Sequence, residues 1–152
     1  MEYCFWGWKT AEVTPIHKIY QGIDNPRKLY DLLCELWCEY TCAPRLRSGW
    51  SKENITLGQC SITAFLAQDV FGGEVYGIPL KNGNYHCFNV VGGCRFDLTS
   101  EQFGTEVLDY ENCSLQTRET HFAKEEKKQR YEYLKKALEQ KIQITGPTGT
   151  DR

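Results

Sequence analysis

The chain has 152 residues, 41% of them hydrophobic and 25% charged, the size and balance of one folded domain with its own core rather than a disordered segment. A formal net charge of −2 argues against a general nucleic-acid binder, and no apolar run approaches the roughly 20 residues that a membrane helix needs. The opening "MEYCFWGWKTAEVTP" lacks the basic end and apolar stretch of an export signal, so the expected location is cytoplasmic, with neither nucleic acid nor membrane as partner.

The first clear element is "DNPRKLYDLLCELWCEYTCAPR". Asp24 or Asn25 suits the N-cap, Pro26 the first helical position, and Pro44 the stop, which predicts a helix of about four to five turns. Cys34, Cys38 and Cys42 recur every fourth residue and on such a helix make one stripe, away from the stripe of Leu29, Leu33, Leu36 and Tyr40. With Cys4, Cys60, Cys87, Cys94 and Cys113 the chain carries eight cysteines. A reducing compartment keeps them as free thiols, and no C-x-x-C pair supports a zinc knuckle. The Cys34, Cys38 and Cys42 stripe reads as buried packing, because three thiolates without a nearby histidine make an incomplete metal site.

"LRSGWSKENITLG" reads as a polar surface loop leading to "QCSITAFLAQDVF". A helix from Cys60 to Phe71, apolar over most of its circumference and stopped by Gly72-Gly73, belongs at the centre of a domain. Then "EVYGIPL", the turn "KNGN", "YHCFNVV", the turn Gly92-Gly93 and "CRFDLT" predict an antiparallel meander of three strands. "TSEQ" has the form of a capping box, with Thr99 at the N-cap and Gln102 three residues on. "AKEEKKQRYEYLKKALEQKI" is a charged amphipathic helix with Tyr131, Leu134, Leu138 and Ile142 on its buried face and its charges in solvent. The expected division is one domain over 1–145 and a flexible C-terminal tail over 146–152.

A two-residue turn at Gly92-Gly93 sets Val91 opposite Cys94, Val90 opposite Arg95, Phe88 opposite Asp97 and His86 opposite Thr99. Alternation then puts His86 and Asp97 on one face as diagonal neighbours, roughly 7–8 Å apart at the backbone. Cys60 stands at a helix N-terminus, where the dipole and a nearby imidazolium favour the nucleophilic thiolate. His86 could exchange its proton, and Asp97 could orient the ring. The unpaired N–H of Cys60 would face an oxyanion, with Gln59 or Asn89 as side-chain donors; Gln59 is preferred because Asn89 falls on the other strand face. His17 and His121 lie outside the expected sheet.

"LGQCSITAFLAQDVFGGEVYG" followed by "YHCFNVVGGCRFDLTSEQF" resembles the YunG-like family of uncharacterised bacterial proteins. The matching residues are Gly58, Gln59, Cys60, Thr63, Ala64, Gly72, Gly73, Glu74, His86, Asn89, Asp97, Leu98, Thr99, Gln102 and Phe103. Cys87 stands where the pattern has an aromatic. The order of cysteine on a helix, histidine on a strand and aspartate on the next strand is similar to the papain-like and transglutaminase-like superfamily. That resemblance implies an α+β fold, with the cysteine helix packed centrally on an antiparallel sheet and flanked by N- and C-terminal helices. It also implies acyl-transfer chemistry on a peptide, amide or acyl substrate without a cofactor. The expectation is a cysteine hydrolase or acyltransferase with Cys60, His86 and Asp97 as its triad. The alternatives are a non-catalytic binding module of the same fold and a metal site built from Cys60, His86, Asp97 and Cys87, which is disfavoured because Cys87 and His86 point to opposite strand faces.

Overall fold

Asn25 accepts a hydrogen bond from Lys28 N–H and Pro26 occupies the first turn, so the first helix starts where its sequence places it. The computed structural model describes residues 2–145; the tail over 146–152 lies outside them. Along the chain come α1 (Pro26–Cys34), α2 (Cys60–Phe71), β1 (Glu74–Pro79), β2 (Tyr85–Val91), β3 (Cys94–Phe96), β4 (Ser114–Gln116), α3 (Arg118–Phe122) and α4 (Glu125–Thr145). The strands form one antiparallel sheet in the order β3-β2-β1-β4. The fold is mixed α+β. Among the described residues no helix is long and apolar enough to cross a membrane.

Helix α2 has the predicted bounds, and Ile62, Ala64, Phe65, Leu66, Ala67, Val70 and Phe71 are all buried. Gly73 turns the chain into the sheet at φ +75°, where a Cβ would stand 2.4 Å from the Val90 carbonyl oxygen. Glycine alone fits there. The odd-numbered side chains of β2 face α2, with Cys87 in the main core. Phe88 lies in a smaller cluster with Ile78 and Tyr110 on the other face. Against the main core α4 lays Tyr131, Leu134 and Leu138, all buried, with Ile142 packed at the edge.

Four expectations need correction. Helix α1 ends at Cys34, not before Pro44. The chain turns there because Trp37 drops under α2, buried, and its indole donates to Thr63 Oγ1 at 2.9 Å. Thr41 closes the following turn by accepting from Cys38 N–H and donating to the Cys38 carbonyl. Cys34, Cys38 and Cys42 therefore share no helical stripe. Second, β3 ends at Phe96 after the pairs Val91–Cys94, Val90–Arg95 and Asn89–Phe96. Asp97 turns away to bridge Trp6, donating its N–H to the Trp6 carbonyl at 2.9 Å. The expected pairs of Phe88 with Asp97 and His86 with Thr99 do not extend the ladder.

Third, Thr99 makes no side-chain cap, and the residues after it form only a 3-10 turn, Ser100–Phe103. The Thr99 hydroxyl is taken up by Asp97, while Gln102 donates to the Thr99 carbonyl and accepts from Gly58 N–H. Fourth, the charges of α4 are not all solvated. Arg130 is buried, donates to the Thr41 carbonyl at 2.8 Å and pairs with Glu126. The edge strand β4 and the short helix α3 have no counterpart in the sequence reading.

Candidate active site

Gln59 precedes α2 without a side-chain cap, and the first intrahelical bond runs from Thr63 N–H to the Gln59 carbonyl. The N–H groups of Cys60, Ser61 and Ile62 therefore have no acceptor within the helix, and the positive end of the dipole lies at Cys60. The Cys60 side chain is partly exposed, with Sγ 3.9 Å from the Tyr85 carbonyl. The N-terminus of α2 thus overhangs the start of β2, which is how a residue on the far face of the sheet comes within its reach.

That residue is His86. Its buried ring places Nε2 2.6 Å from Asp97 Oδ2 and lies close enough to the Cys60 thiol for each to shift the other's ionisation. Phe103 meets the ring edge-on at 4.7 Å. Asp97 is fully buried and has further donors: the Tyr110 hydroxyl at 2.6 Å on Oδ2, and Thr99 N–H at 3.2 Å and the Thr99 hydroxyl at 3.4 Å on Oδ1. Trp6 stacks on Tyr110 at 3.7 Å. A carboxylate with this many donors is fixed in position before any substrate arrives.

The electrostatics follow from the neighbours. A hydrogen bond from Cys87 holds the Cys60 thiol well below the usual thiol range against the cost of burial, and His86 adds to the lowering. Burial disfavours a charged imidazole at His86, yet the Asp97 carboxylate and the Cys60 thiolate outweigh it and raise the ring to about 10. Cys87 moves the opposite way, pushed up by the neighbouring Cys60 sulfur and by burial. The arrangement favours a thiolate–imidazolium pair across neutral pH.

The two side chains expected to bind an oxyanion are placed elsewhere. Gln59 is buried and donates to the Cys38 carbonyl at 3.2 Å, leaving its Oε1 without a partner. Asn89 lies on the α2 side of the sheet and donates to the Ala64 carbonyl at 2.8 Å. Cys87, expected as a face-mismatched metal donor, instead lies in the core beside α2 and is the neighbour that lowers Cys60 most. Among the described residues no group of three or more His, Cys, Asp or Glu side chains is placed to hold a metal ion.

Sequence reasoning missed a second cluster. His121 of α3 lies 4.0 Å from the Cys87 sulfur, donates from Nε2 to Gln116 Oε1 at 2.7 Å and accepts from Lys127 Nζ at Nδ1 at 2.9 Å. Burial and Lys127 lower the His121 ring to about 4, so it is a neutral imidazole. Burial also lowers Lys127, against the attraction of the nearby thiols. A cleft of about 690 Å³ collects Cys60, His86, His121 and Lys127 along its walls. A smaller one of about 430 Å³, beside Trp6 and Tyr110, touches neither Cys60 nor His86.

The chain is thus a mixed α+β domain that gathers Cys60, His86 and Asp97 at one end of its antiparallel sheet. The model of the family described as YunG protein matches residues 25–143, and the chain belongs to that family. It is 32% identical over 91 residues to "Uncharacterized protein YunG" of Bacillus subtilis (strain 168), an alignment covering 60% of this chain and 76% of that protein. No solved structure matches the chain.

Proposed function

We propose that the protein is a cysteine-dependent hydrolase or acyltransferase of papain-like or transglutaminase-like arrangement, with Cys60 as nucleophile, His86 as general acid/base and Asp97 as orienting carboxylate. The observation that supports this reading is the arrangement itself: a thiol at a helix N-terminus, an imidazole whose neighbourhood lowers that thiol, and a buried carboxylate 2.6 Å behind that ring. The Cys60 thiolate attacks a substrate carbonyl and the carbonyl oxygen takes the negative charge. The N–H of Cys60 meets that charge. As the tetrahedral intermediate collapses, the leaving amine or alcohol takes the proton from His86 and a thioester remains on Cys60. Water or an acceptor nucleophile then gives a proton to His86, attacks the thioester and releases the acyl group, restoring the thiolate.

The test is acylation by p-nitrophenyl acetate followed by mass spectrometry of the cysteine peptides. The expected result is a hydroxylamine-labile acetyl group on Cys60, absent in Cys60→Ala and much slower in His86→Ala. Acetylation spread over exposed cysteines such as Cys4, with no effect of His86→Ala, would overturn the proposal in favour of a non-catalytic binding module.

A further inference from the structure

The net charge of the chain is −2, yet the cleft beside Cys60 is lined by Arg45, Lys124, Lys127 and Arg130 against a single carboxylate, Glu126. Glu126 is already paired with Arg130 and the Cys60 thiolate with the His86 imidazolium, so the charges of Arg45, Lys124 and Lys127 are in excess within the lining. Arg45 and Lys124 are exposed. Lys127 is half-buried, and its ammonium contacts a neutral imidazole, Nδ1 of His121 at 2.9 Å. Among the described residues no carboxylate lies within ion-pair distance of Lys127.

A cation drawn partly out of water without a carboxylate partner costs free energy that an incoming anion recovers. His121 is held by Gln116 on its other nitrogen and so fixes the ammonium at the cleft wall. Clefts with walls of one sign concentrate oppositely charged ligands, raising association rates by roughly 10 to 1000-fold.

From this arrangement we infer that Lys127, assisted by Arg45 and Lys124, forms an anion subsite beside the nucleophile, and that the acyl substrate carries a carboxylate close to its reactive carbonyl. An acidic peptide or a carboxylated amide has that chemistry. The inference rests on the reading of Cys60 as a reactive nucleophile.

The probes are iodoacetate and iodoacetamide, one anionic and one neutral. Each is attacked by the Cys60 thiolate at its methylene carbon; the new C–S bond forms as the C–I bond breaks and iodide leaves. Rates at Cys60 are read by mass spectrometry near neutral pH and low salt. The expected wild-type result is faster modification by iodoacetate. The ratio of the two rates should fall roughly tenfold in Arg45→Gln/Lys124→Gln/Lys127→Gln, while the iodoacetamide rate stays within about twofold.

The double variant Arg45→Gln/Lys124→Gln alters only exposed side chains and should lower the ratio part of the way, more at low salt than at high salt. Selective labelling of Cys60 with a ratio indifferent to these substitutions would overturn the subsite and leave the nucleophile reading standing. A fall in both rates together in the triple variant would also overturn it, marking Lys127 as a counter-ion of the thiolate. Absence of preferential labelling at Cys60 by either reagent would remove the nucleophile reading and the subsite with it.

Discussion

His86 Nε2 and Asp97 Oδ2 meet at 2.6 Å across eleven positions of sequence, and this contact sets the pH range in which the neighbouring sulfur reacts. Cys60 is held below the usual thiol range and His86 is raised to about 10. Iodoacetamide should therefore modify Cys60 readily at about pH 6, where a free thiol of pKa ~8.5 is almost entirely protonated. In His86→Ala the profile should move to higher pH, part of the way toward the range where a free thiol titrates, because the Cys87 contribution remains. Acyl transfer, which needs the imidazolium as acid, should decline as pH rises through about 10. A wild-type labelling profile coincident with that of His86→Ala would exclude the ion pair.

Tyr110 shares the Asp97 oxygen that holds His86. Tyr110→Phe removes one donor from a buried carboxylate and should cost about 1–3 kcal/mol in urea unfolding, with the pH profile of Cys60 little changed. Asp97→Asn should cost about 3–5 kcal/mol, since it leaves the buried ring without its anionic partner. It should also move the labelling profile upward, by less than His86→Ala does. Equal stability of wild type and Asp97→Asn would show that the pair is not closed in solution.

Cys87 is the largest influence lowering Cys60. Cys87→Ala should slow Cys60 labelling at about pH 6 and leave the rate at about pH 9 unchanged, where the thiol ionises unaided. Cys87→Ser, which keeps a donor, should restore much of the loss. Labelling that is equally slow in both variants at every pH would instead indicate damaged packing beneath the site.

Gly7 has φ +86°, and a Cβ there would stand 2.3 Å from the Arg95 carbonyl oxygen. Gly7→Ala combines left-handed strain with a backbone clash and should destabilise the chain by about 2 kcal/mol or more. Because Trp6 next to it receives the Asp97 N–H, amide exchange at Asp97 should also quicken. Unchanged exchange would mean that Trp6 keeps its place despite the clash.

Residues that carry their own stop signals were readable from sequence. Gly72-Gly73 ends α2, and Gly92-Gly93 fixes the β2–β3 register from Val91–Cys94 to Asn89–Phe96, where the ladder stops one residue short of Asp97. The exit of α1 was not readable, because Trp37 seeking Thr63 is a contact across the fold that no local spacing encodes. Strand alternation favours Gln59 over Asn89 as an oxyanion donor, but the early turn after Cys34 presents Gln59 with the Cys38 carbonyl instead. His121 stayed hidden because its partners come from a three-residue edge strand and from a helix face whose charges look solvated in sequence. Cys87 alternates away from His86 along β2, and only the overhang of α2 past the strand end brings both near one sulfur.

Trp6 closes over Tyr110 and takes the Asp97 N–H, yet the family match begins at residue 25. The brace behind the carboxylate thus belongs to a stretch outside the matched pattern. A graft of residues 25–143 into another framework would transfer Cys60, His86 and Asp97 intact while leaving this brace behind. The firmness with which Asp97 is held in such a chimera would then depend on what the new host laid over Tyr110, giving an adjustable element that requires no change to Cys60, His86 or Asp97.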